Sequence, residues 1–152
     1  MKSDFLDSDG VLPLLVEPAC DHEASPDALI AWVEEHRSLL EQWLHRDGAL
    51  LLRGFGIDSP DVFRAVAAAV RPELMNYVGG DSPRSSVGDR VYTSTEFPPD
   101  MEIGLHNELS YTRSWPTCVF FCCLVAAERG AGRAPLQKAW RARRGERGWL
   151  SD

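Results

Sequence analysis

The sequence predicts an α+β fold in which two amphipathic helices alternate with short strand-forming segments. Composition supports one soluble domain, because 152 residues with 44% hydrophobic and 26% charged side chains are enough to bury a core. The first half of the chain contains two helix-start signals, and apolar runs without helical periodicity occur in both halves. Helices and strands are therefore both expected.

The two predicted helices begin with the same signal. A Ser-Pro-Asp triplet at residues 25–27 combines an N-cap serine, a proline at the first helical position and an acidic first turn, and residues 59–61 repeat it. Apolar side chains at three- and four-residue intervals extend the first helix to about Arg46, where an Asp-Gly pair ends it. Pro72 ends the second helix.

Strand-like segments account for much of the remaining chain. Residues 49–53 form a short apolar run typical of a buried strand. Residues 77–99 are rich in Gly, Pro and Ser and predict a long loop region, with one strand-like piece at 91–95. Residues 101–105 and 117–127 are also typical of strands, and we expect the second to be buried on both faces because it lacks alternation.

Several classes of protein are disfavoured by simple features. The longest apolar run, residues 118–127, is half of the roughly 20 residues that a membrane-spanning helix needs, and the first seven residues are acidic, unlike a secretory signal. The four cysteines form no CxxC pair, no histidine follows them at zinc-site spacing, and three lie in an apolar run. We therefore expect structural cysteines rather than a metal-thiolate site, no membrane partner, and a reducing cytoplasmic location.

The net charge of −7 is distributed unevenly along the chain. Residues 1–128 contain 9 basic and 21 acidic side chains, a balance of −12, whereas residues 129–152 contain 7 basic and 2 acidic, a balance of +5. A basic arm for nucleic acid is one interpretation of the second segment. The acidic body would repel phosphates and no aromatic stacking platform is evident, so we expect no nucleic-acid partner.

Two His-x-acid triplets are candidates for chemistry. His45 and Asp47 lie at a predicted helix end, where residues two apart point in different directions, so a histidine at the negative end of the helix dipole is expected. His106 and Glu108 follow a predicted strand, and side chains two apart on extended backbone share one side, with Leu109 facing the core. An imidazole and a carboxylate supply two-thirds of the triad that binds non-haem Fe(II). A structural, hydrogen-bonded histidine is the alternative.

Segments around the second triplet resemble, in order, the N-terminal half of the TauD/TfdA (taurine dioxygenase-like) family. The resemblance covers roughly residues 45–129, and the His-Asn-Glu-x-Ser-Tyr motif is similar to the branch that hydroxylates amino acids or carrier-bound aminoacyl groups. The segments are Gly48-Ala-Leu-Leu-Leu-Arg-Gly-Phe-Gly56, Tyr92-Thr-Ser-Thr-Glu-Phe-Pro98, Ile103-Gly-Leu-His-Asn-Glu-Leu-Ser-Tyr111 and Trp115-Pro116.

The resemblance implies a double-stranded β-helix, or jelly roll, with flanking helices. It also implies Fe(II) bound by two histidines and one carboxylate, with 2-oxoglutarate as the chelating co-substrate and O2 at the remaining position. His106 and Glu108 match the first two metal ligands, and Ser110 and Tyr111 are candidates for lining the substrate pocket. Asn107 is not expected to bind the metal. The implied partner is a small-molecule substrate, such as a carrier-bound amino acid, and the oligomeric state is left open.

The chain departs from the family pattern after the triplet. The family takes its third ligand from a later histidine and pairs 2-oxoglutarate with an arginine beyond it, but no histidine follows His106 in these 152 residues. A Gly-Glu-Thr-Pro-like turn, whose threonine helps to bind 2-oxoglutarate, is replaced from residue 131 by a basic segment. We expect residues 1–130 to be the N-terminal part of a dioxygenase domain and residues 131–152 to be a tail without family resemblance, as a frameshift would produce.

Two functions remain open from the sequence. The first is a dioxygenase domain whose jelly roll is incomplete and which is inactive as this chain alone. The second is a non-catalytic, cupin-like binding module that keeps the core without the metal. In the first case residues 118–127 lack strand partners, and poor solubility is expected because an unpaired apolar strand promotes aggregation.

Overall fold

A computed structural model describes most of the N-terminal half of the chain and parts of the C-terminal half. The chain divides into two compact units, Met1–Leu74 and Met75–Asp152. The described residues are 1–5, 13–77, 83–94, 108–109, 111, 113 and 115–125. The predicted strand at 101–105, the residues His106, Asn107 and Ser110, and the basic segment 131–152 lie outside them.

The N-terminal unit is built on a three-stranded sheet in the order β1 (Lys2–Phe5), β2 (Leu14–Glu17), β3 (Leu50–Leu52). The central strand β2 pairs antiparallel with β1 and parallel with β3, and Val16 lies opposite Leu52 in the parallel pair. A parallel pair needs a long crossover, which the segment between β2 and β3 provides. The sequence predicted β3 but neither β1 nor β2.

Three α-helices accompany this sheet: α1 (Pro26–Glu35), α2 (Arg37–Asp47) and α3 (Pro60–Val70). The predicted single helix over residues 26–46 is interrupted at His36, whose φ of −114° and ψ of 24° lie outside the helical range. The end of α2 is as expected, since Gly48 adopts a left-handed φ of 76° that glycine tolerates without steric cost.

Both Ser-Pro-Asp triplets are confirmed as helix starts. Ser25 Oγ accepts a hydrogen bond from the Ala28 N–H at 3.2 Å, and Ser59 Oγ accepts one from the Val62 N–H at 3.4 Å. Each serine therefore satisfies a backbone donor that has no partner within its helix.

The core of the N-terminal unit lies between the sheet and the helices. Its buried members come from β2, all three helices and the loop after β3, and each contributes roughly 1.5–3 kcal/mol by leaving water, the alanine less. An arginine adds a polar link, because Arg37 donates from Nε at 3.2 Å and from Nη2 at 2.8 Å to the carbonyl of Ala69. The start of α2 is thereby attached to the end of α3. The core residues are Val16, Leu29, Val33, Leu40, Phe55, Val66 and Ala69.

The C-terminal unit contains a small antiparallel hairpin, β4 (Ser86–Gly88) and β5 (Val91–Tyr92). Arg90 in its turn has a φ of 58°, and the Ser85 N–H donates to Thr93 Oγ1 at 2.8 Å beside the last pair. The predicted strand at 91–95 is thus present at its first two residues.

The apolar segment 115–125 differs from its prediction. The structure assigns no strand to it, and exposure alternates: Val119 and Phe121 are 43% and 66% exposed, while Phe120 and Cys122 are half-buried. The expected burial on both faces is wrong for residues 117–125, because Val119 and Phe121 are exposed and the consecutive residues Leu124 and Val125 are also 44% and 87% exposed.

Within the described residues the architecture is three α-helices, one short 3-10 helix and two small sheets, without a closed barrel. This arrangement is consistent with an incomplete fold. No helix in the described ranges has the length and apolar character needed to cross a bilayer.

The Ser25 cap predicts a measurable loss of stability. Ser25→Ala should lower the free energy of unfolding by about 1 kcal/mol, because the Ala28 N–H loses its acceptor. Ser38→Ala, at an exposed serine within α2, is the control and should change it by less than about 0.5 kcal/mol. Denaturant unfolding of both variants measures the difference, and equal effects would contradict the capping role.

Two adjacent cysteines should react at different rates. Burial, followed by the charge of Cys123, raises the pKa of the Cys122 thiol, so less thiolate is present near neutral pH. Iodoacetamide should therefore alkylate Cys122 more slowly than the exposed Cys123, as measured by peptide mass spectrometry. The difference should disappear in denaturant; equal rates in the native protein would contradict the prediction.

Candidate metal centre

Glu108 is the member of the His-Asn-Glu triplet that the structure describes. It lies in a turn with Leu109, whose φ is 52° and whose side chain is 8% exposed. The burial of Leu109 agrees with the sequence, but the extended backbone expected at Glu108 is wrong. A leucine in the left-handed region costs about 1–2 kcal/mol, and its burial offsets that cost.

The Glu108 carboxylate forms an ion pair with an arginine that the sequence analysis did not single out. Arg84 Nη2 donates to Glu108 Oε1 at 3.0 Å, and the two side chains are only 14% and 18% exposed. Such a pair has lost most of its hydration, so its geometry is better fixed than that of a surface pair. Arg84 thereby orients the carboxylate.

Tyr77 lies against this arginine, and Tyr92 lies against Tyr77. The Arg84 guanidinium lies 4.6 Å from the centroid of the Tyr77 ring, and the Tyr77 ring lies 5.9 Å from that of Tyr92 on β5. The ring face attracts the cation and keeps water from it. We call Tyr77, Arg84, Tyr92 and Glu108 the Arg84 cluster.

One atom of the Arg84 cluster lacks a partner. Arg84 Nε is buried and has no hydrogen-bond acceptor in the structure as described. A buried guanidinium N–H without an acceptor is costly, and such groups usually mark a functional site or an absent polar neighbour.

The donor chemistry at Glu108 fits Fe(II), which accepts carboxylate oxygen together with imidazole nitrogen. The Arg84 charge opposes a second cation at the same carboxylate, so a bound metal would share Glu108 with Arg84 or displace it. The family's other matching ligand, His106, is outside the described residues.

The remaining sequence candidates occupy other surroundings. Tyr111, a predicted pocket residue, is 62% exposed, and Ser110 lies outside the described residues.

His45 lies in the last turn of α2, where Nδ1 donates to the Glu41 carbonyl at 2.8 Å, as expected for a histidine at a helix end. Asp47 accepts from Arg46 at 2.8 and 2.6 Å, and this pairing raises the pKa of Arg46.

The Arg84–Glu108 pair predicts non-additive mutations. Arg84→Met should destabilise the metal-free protein by about 1–3 kcal/mol, because the carboxylate keeps its charge but loses the guanidinium that pairs with it. Adding Glu108→Gln removes that charge, so the double variant should be less destabilised than the two single variants summed, with a coupling of about 0.5–3 kcal/mol. Denaturant unfolding with chelator present measures the cycle.

Arg90→Met is the matched control for this cycle, since Arg90 is exposed and lies 4.0 Å from Asp89. It should shift stability by less than about 0.5 kcal/mol. Additivity of the Arg84 and Glu108 substitutions would show that the ion pair contributes nothing.

Known proteins resemble this chain over most of its length. Residues 13–143 match the family described as taurine catabolism dioxygenase TauD, TfdA family, a range that passes residue 130. A clavaminate synthase-like protein of Arabidopsis thaliana is 38% identical over 104 residues, which are 68% of this chain and 31% of that protein. The dapdiamide synthesis protein DdaC of Enterobacter agglomerans is 31% identical over 97 residues, 64% of this chain and 29% of that protein.

The chain therefore spans about three-tenths of the length of the curated relatives that it matches. The family match covers well over half of the chain and agrees with the resemblance seen in its motifs. The family implies a jelly-roll-like fold, and the two small sheets of the described residues are consistent with an incomplete one. The chain belongs to the TauD/TfdA family of dioxygenases.

Proposed function

We propose that this chain is the N-terminal part of an Fe(II)- and 2-oxoglutarate-dependent dioxygenase and that Glu108 is its metal-binding carboxylate. One observation supports the assignment above the others: Glu108 is largely buried, is oriented by Arg84, and lies within the motif that resembles the family's ligands. Most surface glutamates have no such fixed orientation.

The chain's own residues would bind the metal ion and fix the orientation of its ligands. Fe(II) and 2-oxoglutarate, when bound, would provide the chemistry by which O2 oxidises a C–H bond of the substrate. Glu108 and His106 would contribute two of the protein's ligands. Arg84 pairs with Glu108 Oε1 and so fixes the direction of the carboxylate before an ion binds; the ion would then share Glu108 with Arg84 or displace it.

The proposed reaction is hydroxylation of a small amino-acid-like or aminoacyl substrate. Support comes from the His-Asn-Glu-x-Ser-Tyr motif and from a relative named for dapdiamide synthesis. Ser110 and Tyr111 are the proposed pocket residues. All four cysteines are free, which favours a reducing compartment, and we place the reaction in the cytoplasm.

We further propose that residues 1–130 provide the dioxygenase part and that residues 131–152 form a tail that does not contribute to it. These 152 residues contain no histidine after His106, so the chain offers two of the family's three side-chain ligands. Weak iron binding and no turnover by this chain alone are the expected properties.

A second candidate is the non-catalytic binding module. It is favoured by the same ion pair, because Arg84 already neutralises Glu108 and a purely structural role would need nothing more. The two candidate functions differ in whether Glu108 binds a divalent ion when one is added.

Metal binding separates the two candidates. Mn²⁺, a hard divalent ion that accepts carboxylate and imidazole ligands, should bind weakly to the chain, and binding should be lost in both Glu108→Gln and His106→Gln. His45→Gln, which changes an exposed histidine at the end of α2, should bind as the unmodified chain does. Electron paramagnetic resonance of free Mn²⁺ measures binding.

Unchanged Mn²⁺ binding in Glu108→Gln and His106→Gln, or none in the unmodified chain, would favour the non-catalytic module. Succinate formation is a separate measurement. Stoichiometric, 2-oxoglutarate-dependent succinate from this chain alone would refute the proposal that its site is incomplete.

A further inference from the structure

A second group of metal-ligating side chains lies in the N-terminal unit, on the short 3-10 helix Asp21–Glu23 between β2 and α1. The Glu23 N–H donates to the Cys20 carbonyl at 3.0 Å, which closes the turn. This tight turn brings together three side chains that are close in sequence, those of Cys20, His22 and Glu23.

The spacing of their ligand atoms matches a tetrahedral ion. The Cys20 sulfur, a His22 ring nitrogen and a Glu23 carboxylate oxygen all lie within 4.8 Å of one another, and Cys20 Sγ is 3.4 Å from His22 Nε2. Bonds of about 2.3 Å from zinc to sulfur and about 2.0–2.1 Å to nitrogen separate those two ligands by about 3.6 Å. Little movement would be needed to admit the ion.

The carboxylate is already oriented by its neighbours. Glu23 Oε2 accepts from the Ala19 N–H at 2.8 Å and lies 2.9 Å from the Met1 ammonium group. The Ala19 hydrogen bond, followed by that of the Met1 ammonium, lowers the pKa of Glu23 and so favours its charged form. Outer hydrogen bonds of this kind fix the direction of metal ligands.

The other two ligands are accessible to an ion from solution. Cys20 and His22 are both exposed, and Cys20 is a free thiol. Thiolate with imidazole is a donor set that favours zinc over the harder ions that suit carboxylates alone.

We propose that Cys20, His22 and Glu23 form a zinc-binding site, with water as the fourth ligand. Binding converts the Cys20 thiol to a thiolate and releases its proton to solvent, while His22 binds through a neutral ring nitrogen. The site is exposed and lacks a fourth protein ligand among the described residues, so the ion is exchangeable rather than an essential part of the fold. Neither ligand considered for Fe(II) takes part in it.

The usual sequence pattern of a zinc site, paired cysteines followed by a distant histidine, is absent here, so the sequence predicts no metal-thiolate site. The three ligands here lie within four consecutive residues, one, three and four positions after Ala19, and the 3-10 turn places their atoms together.

Cobalt(II) titration tests the proposal, because thiolate-bound cobalt gives a charge-transfer absorption that nitrogen and oxygen ligands do not. The reduced chain, without a histidine tag, should develop this absorption with one equivalent of Co²⁺, and Zn²⁺ should abolish it by displacement. Cys20→Ser should lose the absorption entirely, and His22→Gln and Glu23→Gln should bind Co²⁺ more weakly.

Cys123→Ser is the matched control, because Cys123 is also an exposed, free cysteine. It should retain the full absorption, as should Glu108→Gln, so the result is independent of the proposed iron site. Absence of the absorption in the unmodified chain, or its persistence in Cys20→Ser, would overturn the proposal. Circular dichroism of the metal-free variants should match that of the unmodified chain, which excludes misfolding as the cause.

Discussion

The parallel pairing of β2 with β3 is the constraint on which the N-terminal unit depends. Because parallel neighbours cannot be joined by a tight turn, the chain between Glu17 and Leu50 must leave the sheet and return, and α1 and α2 lie in that crossover. Their apolar faces then meet the sheet at Val16, and α3 packs against the same core. The core therefore follows from one strand pairing that joins residues distant in sequence.

The Arg84 cluster places opposite requirements on one carboxylate. An arginine at 3.0 Å fixes the direction of Glu108, yet its charge also reduces the attraction of that carboxylate for a divalent ion. A glutamate without the arginine would be a stronger but less oriented ligand. Orientation is the more useful property where an ion must keep positions open for a co-substrate and oxygen.

Local signals in the sequence were sufficient for the helix starts, for β3 and for the two residues of β5. Ser25 and Ser59 act through hydrogen bonds to residues three positions away, so their effect is visible in a short window of sequence. The strands β1 and β2 were missed because each has only four residues and acquires its structure from partners elsewhere in the chain. The break at His36 was also missed, since the apolar periodicity continues through it.

The candidate site was predictable only in part for a similar reason. The motif identified Glu108, but no local pattern indicated its pairing with Arg84. Arg84 precedes the β4–β5 hairpin in the sequence, whereas Glu108 follows it. The turn at Leu109 was equally unexpected, because leucine rarely adopts a positive φ. Cys20, His22 and Glu23 match no usual zinc-site spacing, and their ligand atoms come together only through the 3-10 turn.

The left-handed backbone at Leu109 links the burial of this leucine to the direction of the neighbouring Glu108 carboxylate. Burial of the leucine side chain helps to offset its unfavourable torsion angle, and Glu108 is the residue bonded directly to it. A change that exposes Leu109 would reduce that compensation, and a change in the Leu109 backbone would alter the direction of the neighbouring carboxylate. Selection for a correctly directed carboxylate would therefore constrain side chains that never approach a metal.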